Sequence, residues 1–121
     1  INNFKITSSG VFSTPEDISI SLRWIALLSD KVHCNLAAST GVHSGEGVIK
    51  QLLAGATAVQ IVSVIYKYGP EYISTILNDL TTWMEKKNFN SIDDFRGKLS
   101  GKENTASFER IQYMKYFGGI E

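Results

Sequence analysis

Two short stretches of this chain carry residue types that could do chemistry. In the first, Ser39-Thr40-Gly41-Val42-His43-Ser44-Gly45-Glu46-Gly47, three glycines stand where an apolar run passes into a helix-forming one. A strand-to-helix junction presents unpaired backbone N–H groups and the positive end of the helix dipole, and glycine lets an anion approach the backbone. The spacing of Gly41, Gly45 and Gly47 matches neither the Walker pattern nor the dinucleotide fingerprint. Taken alone, the turn reads equally well as a tight loop that holds nothing. The second stretch, Val62-Ser63-Val64, follows the next apolar run without a long spacer. In a parallel sheet its N–H groups and the Ser63 hydroxyl lie beside the Thr40-Gly41 turn. Two adjacent strand ends converging on one point make a phosphate site of the kind that (β/α)8 barrels build from the loops after strands 7 and 8. Together the two stretches predict a bound cofactor or substrate phosphate.

The elements that must position these residues follow from local patterns. Thr14-Pro15-Glu16-Asp17 opens a helix over 15–29, with Thr as N-cap, Pro at the first helical position and acids in the first turn. Ile18, Leu22, Ile25 and Leu28, widened by Trp24 and Leu27, give it a core-facing stripe. Residues 34–38 and 56–62 read as buried strands, the first delivering its end to the glycine turn. Between them lies a helix over 45–54, capped by Ser44 and closed by Gly55 in a left-handed C-cap, so the local order is a parallel βαβ unit. Tyr72, Ile73, Ile76, Leu77, Leu80, Trp83 and Met84 hold helical spacing in a helix over 70–87. Ser91-Ile92-Asp93-Asp94 is a capping box opening a single turn, residues 97–104 are loop-like, and Phe108 and Ile111 would line a last helix.

Other reactive residue types have simpler readings. Cys34, the single cysteine, excludes an intrachain disulfide and reads as a small core residue of the first strand. His33 and His43 are separated by a whole strand and cannot chelate one metal together; His43, beside the turn, is either a ligand contact or a solvated loop histidine. Trp24 and Trp83 read as packing residues. Glu85, Lys86 and Lys87 form a wet helix end, and Asp93-Asp94 serve the cap. No metal site is predicted.

Twelve acidic residues balance twelve basic ones, and 43% of the chain is hydrophobic, as in a soluble globular domain without a preference for polyanions. Nucleic-acid binding by bulk charge is excluded. No apolar run reaches the roughly 18 residues of a membrane span, and residues 1–10 lack the features of a signal peptide, which points to a soluble, cytoplasmic protein. The start on Ile1, without an initiator Met, reads as the start of a fragment.

Four blocks, Ser39-Thr-Gly-Val-His-Ser-Gly-Glu, Leu52-Leu-Ala-Gly-Ala-Thr-Ala-Val-Gln-Ile, Tyr66-Lys-Tyr-Gly-Pro-Glu-Tyr-Ile and Ser91-Ile-Asp-Asp-Phe-Arg-Gly-Lys-Leu, resemble in order the C-terminal part of dihydroorotate dehydrogenases, over about 36–99. The resemblance implies an α/β chain forming about strands 7 and 8 with helices 6 to 8 of an FMN-binding (β/α)8 TIM barrel. Residues 1–121 would be one partial domain, with a tail helix over 100–121 that docks on the barrel or on a second subunit of a homo-oligomer. It also implies that Thr40 and Gly41 fall where the family has a Gly-Gly pair holding the FMN phosphate, and that Val62 and Ser63 fall where a small residue and Thr complete that site. Thr40 and Val62 depart from the pattern, and Ser63 keeps the hydroxyl. The family oxidises dihydroorotate to orotate in pyrimidine biosynthesis, using a general base, an anion-stabilising lysine and a flavin. Neither base nor lysine is found here, so the chain by itself is expected to be inactive, to bind FMN weakly and to self-associate through uncovered apolar faces. The rival expectation is a dehydrogenase-like barrel without redox activity that binds a phosphate ligand or a partner protein.

Overall fold

The computed structural model describes residues 12–100. A 3-10 turn at Pro15–Asp17 leads into helix α1, Ile18–Leu28; strand β1, Ala37–Ala38, helix α2, Gly45–Ala54, and strand β2, Ala58–Val59, follow. Helices α3, Ser63–Tyr68, and α4, Tyr72–Lys86, precede a second 3-10 turn at Ile92–Asp94. β1 and β2 pair in parallel, Ala37 opposite Ala58 and Ala38 opposite Val59, with α2 as the crossover.

Local chemistry explains most of these boundaries. The Ser44 hydroxyl accepts from the Gly47 N–H at 3.2 Å, and Gly55, at φ 111°, closes α2 with its N–H on Gln51 and Leu52 carbonyls. The Asp17 carboxylate accepts from the Thr14 N–H at 2.7 Å, so the first turn is sealed from within. Its residues wind as a 3-10 turn before the α-helix proper begins at Ile18.

The core has two parts. Ile25, Ala26, Ala38, Ala54 and Ala56 pack where α1 and α2 meet the strands. Ile49, Leu52, Leu80 and the fully buried Phe95 join α2 to α4, with Trp83 and Phe89 rings 5.0 and 5.4 Å from that of Phe95. Arg96 Nη1 donates to the carbonyls of Ala56 and Thr57 at 2.6 and 2.8 Å, tying the last turn to the start of β2.

Several expectations need correction. The strands are two residues each, and they are not buried on both sides: Ala38 is covered, whereas the paired Ala37 and Ala58 are exposed. The helices pack on one face of the sheet only. Trp24 is 56% exposed, because Ile25 and Ala26 fill the narrow seam against β1 and a residue one step back points about 100° away from it. Cys34 is exposed, lying before the strand that was expected to include it. Ile73 and Leu77 are exposed, since α4 meets its neighbours through Ile76 and Leu80. A short helix at 63–68 was not foreseen. The expected helix around Phe108 and Ile111, and the loop residues beyond 100, lie outside the described residues.

Candidate functional site

The site forms where β1 and β2 end. The Gln60 N–H donates to the Ala38 carbonyl at 2.8 Å, carrying the pairing one residue past β2, and the two chains then part. After β1 the backbone turns through Thr40 and Gly41, both at φ 77°. A Cβ on Gly41 would lie 2.1 Å from the Ile18 nitrogen and 2.6 Å from the Asp17 carbonyl carbon. Glycine is thus demanded by the chain's own α1 start as well as by its left-handed φ. Thr40 has no such exemption, and a left-handed residue with a Cβ costs roughly 1–2 kcal/mol. A relay leads to it from the core: the fully buried Gln51 donates through Nε2 to Ser21 Oγ at 2.8 Å, and the Ser21 hydroxyl proton is shared between the Thr40 carbonyl, at 3.1 Å, and that of Ile18, at 3.2 Å.

After β2 the chain enters α3 with Val62 as the first flanking residue, its side chain 60% exposed, and Ser63 turned inward. The Ser63 hydroxyl accepts from the Ser13 N–H at 3.0 Å and lies 3.1 Å from Ser13 Oγ, which in turn lies 3.3 Å from His43 Nε2. Ser13 thus closes the site from the segment before α1. Sequence reasoning missed it, as it missed Ser21 and Gln51, because none of these carries a local motif; an interior Gln on an otherwise apolar helix face was the one available signal.

Thr40, Gly41, Val62 and Ser63, the four residues expected to share a site, do line one cavity of about 170 Å3, together with Ser13, Ser39, Val42 and Gln60. Among the described residues, no backbone carbonyl accepts from the N–H of Gly41, Val42, Ser63 or Val64. Converging free donors and a hydroxyl in a small polar cavity suit an oxyanion. At about 30 Å3 per water, the volume is large enough for a tetrahedral group together with a few waters. The start of α2 is less available, because the Ser44 cap already takes the Gly47 N–H and Glu46 is ion-paired to Lys50 at 2.6 Å. Hydrogen bonding to Lys50 also keeps the Glu46 carboxyl below its ordinary pKa.

A wider depression of about 730 Å3 adjoins the cavity, lined among others by Phe12, Ser13, His43, Ser63, Tyr66 and Lys67. It is the larger opening, yet Gly41 and Val42 line the smaller one. Glu16, near His43, has its carboxyl pKa lowered chiefly by its own backbone N–H and the Thr14 side chain, with His43 adding a minor attraction. Among the described residues no group of three or more His, Cys, Asp or Glu could hold a metal ion, and no helix is long and apolar enough to cross a membrane.

A phosphate-sized pocket at the ends of parallel strands is a feature of α/β barrel proteins, and comparison with known proteins names the group. The sequence model of the dihydroorotate dehydrogenase family matches residues 4–84, about two thirds of the chain. The chain belongs to the dihydroorotate dehydrogenase family. It is 36% identical over 69 residues to dihydroorotate dehydrogenase A (fumarate) of Lactococcus lactis subsp. lactis strain IL1403, covering 57% of this chain and 22% of that one. With the protein of the same name from Lactococcus lactis subsp. cremoris strain MG1363 it is 35% identical over 69 residues, at the same coverage. Its fold resembles the crystal structure of the Eimeria tenella enzyme DHODH in complex with ferulenol, with a TM-score of 0.65 at 20% identity over 70% of this chain and 23% of that one. The chain thus spans about a fifth of the length of the curated relatives it matches.

Proposed function

We propose that this chain is the part of a dihydroorotate dehydrogenase that holds the phosphate of FMN, forming about strands 7 and 8 and helices 6 to 8 of a (β/α)8 barrel. The observation that carries the reading is the convergence of Thr40, Gly41, Val62 and Ser63 on one small cavity, with N–H groups that no carbonyl among the described residues accepts, in a chain of this family. The exposed face of β1 and β2 at Ala37 and Ala58 supports it, since helices cover only one side of the strands in a barrel and the other side faces the interior. FMN, when bound, accepts the hydride removed from dihydroorotate. The residues here fix its phosphate and so set the depth and direction in which it lies, an entropic contribution rather than a chemical one. By this reading the whole protein turns dihydroorotate into orotate in the cytoplasm, and the relatives named for fumarate suggest a soluble electron acceptor of that kind.

Titrating the 121-residue chain with FMN and, separately, with riboflavin tests the assignment. FMN should shift the amide resonances of Gly41, Val42 and Ser63, and riboflavin, which lacks the phosphate, should leave them in place. Equal shifts by both, or none by FMN, would overturn it. For the whole activity, the four cavity residues are grafted into the Lactococcus lactis relative at the aligned positions. A yellow, active graft is expected; a yellow graft that no longer oxidises dihydroorotate would favour the redox-silent barrel, and a colourless one would remove these residues from the flavin site.

A further inference from the structure

The hydroxyl that completes the cavity is not independent of its surroundings. Ser63 Oγ already accepts one hydrogen bond, from the Ser13 N–H at 3.0 Å. Its other protein neighbour is Ser13 Oγ at 3.1 Å, which also touches His43 Nε2 at 3.3 Å. Three polar groups in a row, each hydroxyl carrying one proton and two lone pairs, constrain one another's donors. If Nε2 bears no proton it accepts from Ser13 Oγ, and the Ser63 proton goes either to Ser13 Oγ, which turns a Ser63 lone pair toward the cavity, or into the cavity. If Nε2 bears a proton it donates to Ser13 Oγ, the Ser13 proton is released for Ser63 Oγ, and in that arrangement Ser63 sends its own proton elsewhere. The cavity shared with Gly41 and Val62 is the side left open to it.

We propose that His43 acts through Ser13 as a positioning pair that biases the Ser63 hydroxyl toward donating to an oxyanion bound in the cavity when Nε2 carries a proton. The inference rests on the phosphate-site reading and adds to it a donor whose polarity depends on proton uptake. Imidazolium, with both nitrogens protonated, removes the arrangement in which Ser13 gives its proton to His43; neutral imidazole permits it or not, according to tautomer. The charged and titratable groups around His43 are Glu16 from the first turn, Lys67, Tyr66 and Tyr68 from α3, and Tyr72 from α4. Of these side-chain types only an imidazole ordinarily changes charge between about pH 5 and 8. A dianion should therefore bind more tightly on the acidic side of that range.

Sulfate is the probe of choice, because unlike a phosphate monoester, whose second pKa is about 6, it does not itself titrate in this range. Its affinity for the 121-residue chain is measured from the Gly41 and Ser63 amide shifts at about pH 5.5 and about pH 8.5, which bracket histidine titration. The wild-type affinity should fall about tenfold between them, the ratio expected when one charge-assisted hydrogen bond is lost. Ser13→Ala removes the relay hydroxyl while leaving the Ser13 N–H bond to Ser63, and should flatten most of that dependence; Ser13→Thr, which restores a hydroxyl, should bring it back. His43→Gln, which cannot titrate, should be flat as well and serves if the Ser13 variant does not fold. A Ser13→Ala profile as steep as the wild type would overturn the relay, leaving His43 to act by direct charge and the phosphate site intact. A steep His43→Gln profile would overturn any role of His43. Failure of sulfate and of FMN to shift the cavity amides at either pH would remove the phosphate reading and the relay together.

Discussion

The back of the molecule and its strand-end face are built on opposite rules. At the back, α2, α4 and the last turn close around Phe95, with Trp83 and Phe89 against its ring and Arg96 clamped to two carbonyls. Nearly every group there is apolar or paired. At the strand ends two successive residues take left-handed φ, backbone donors have no carbonyl acceptor among the described residues, and hydroxyls are linked in a chain with a histidine. The difference separates stability from ligand binding: the aromatic cluster stabilises the back, while the strained residues sit at the strand ends, where α2 and α3 still pack on α4.

Substitutions on either side can break that separation. The largest effect is expected for Phe95→Ala, which empties the centre of the aromatic cluster and should cost about 4 kcal/mol, read from urea denaturation. If the regions are as separate as described, the chain that remains folded should still give the FMN-specific shifts at Gly41. Next comes Gly41→Ala, whose Cβ meets the backbone of Ile18 at 2.1 Å under a left-handed φ; a loss of about 3 kcal/mol is expected from overpacking and strain together. Unlike Phe95→Ala, it should weaken sulfate binding in the molecules that fold. Thr40→Gly goes the other way, relieving the same φ, and should stabilise by about 1 kcal/mol with sulfate affinity unchanged, because the donors belong to the backbone. A destabilising Thr40→Gly would show that the left-handed φ of Thr40 carries no net strain.

The smallest effect is a pH dependence at the back. The Ser91 and Asn90 N–H groups, each 2.8 Å from its Oδ2, hold the Asp94 carboxyl below the ordinary aspartate value of 3.8. A carboxyl with its folded pKa depressed stabilises fully above the unfolded value and loses that contribution as pH falls through the folded one. Acidification below 3.8 should therefore loosen the last turn first, seen as faster amide exchange at Ser91 and Asn90, and Asp94→Asn should remove that pH step.

Much of the front's outline was legible in the sequence, and its reasons are local. The Ser44 cap, the Gly55 stop and the strand–helix–strand order each depend on residues close in sequence, as does the Asp94 capping box at the back. The pairing of Gly41 with Ser63 could be anticipated because a parallel βαβ unit brings consecutive strand ends together. Trp24 was misread because periodicity tells which residues share a helix face, while only the packed partner tells how wide a strip of that face is covered, and Cys34 was misread because β1 begins only at Ala37. Helix α3 escaped notice since its six residues carry no periodic stripe of useful length.

The sequence by itself determined the caps, the turn glycines, the element order and the family pattern, since these are written in neighbouring residues. Only the tertiary structure decided that Gly41 is pressed by the start of α1, that Gln51 reaches Thr40 through Ser21, and that His43 reaches Ser63 through Ser13. Those contacts join residues 19 to 50 positions apart, and a hydroxyl or an amide becomes a partner at such a distance only once the packed chain has removed the water that would otherwise take its place.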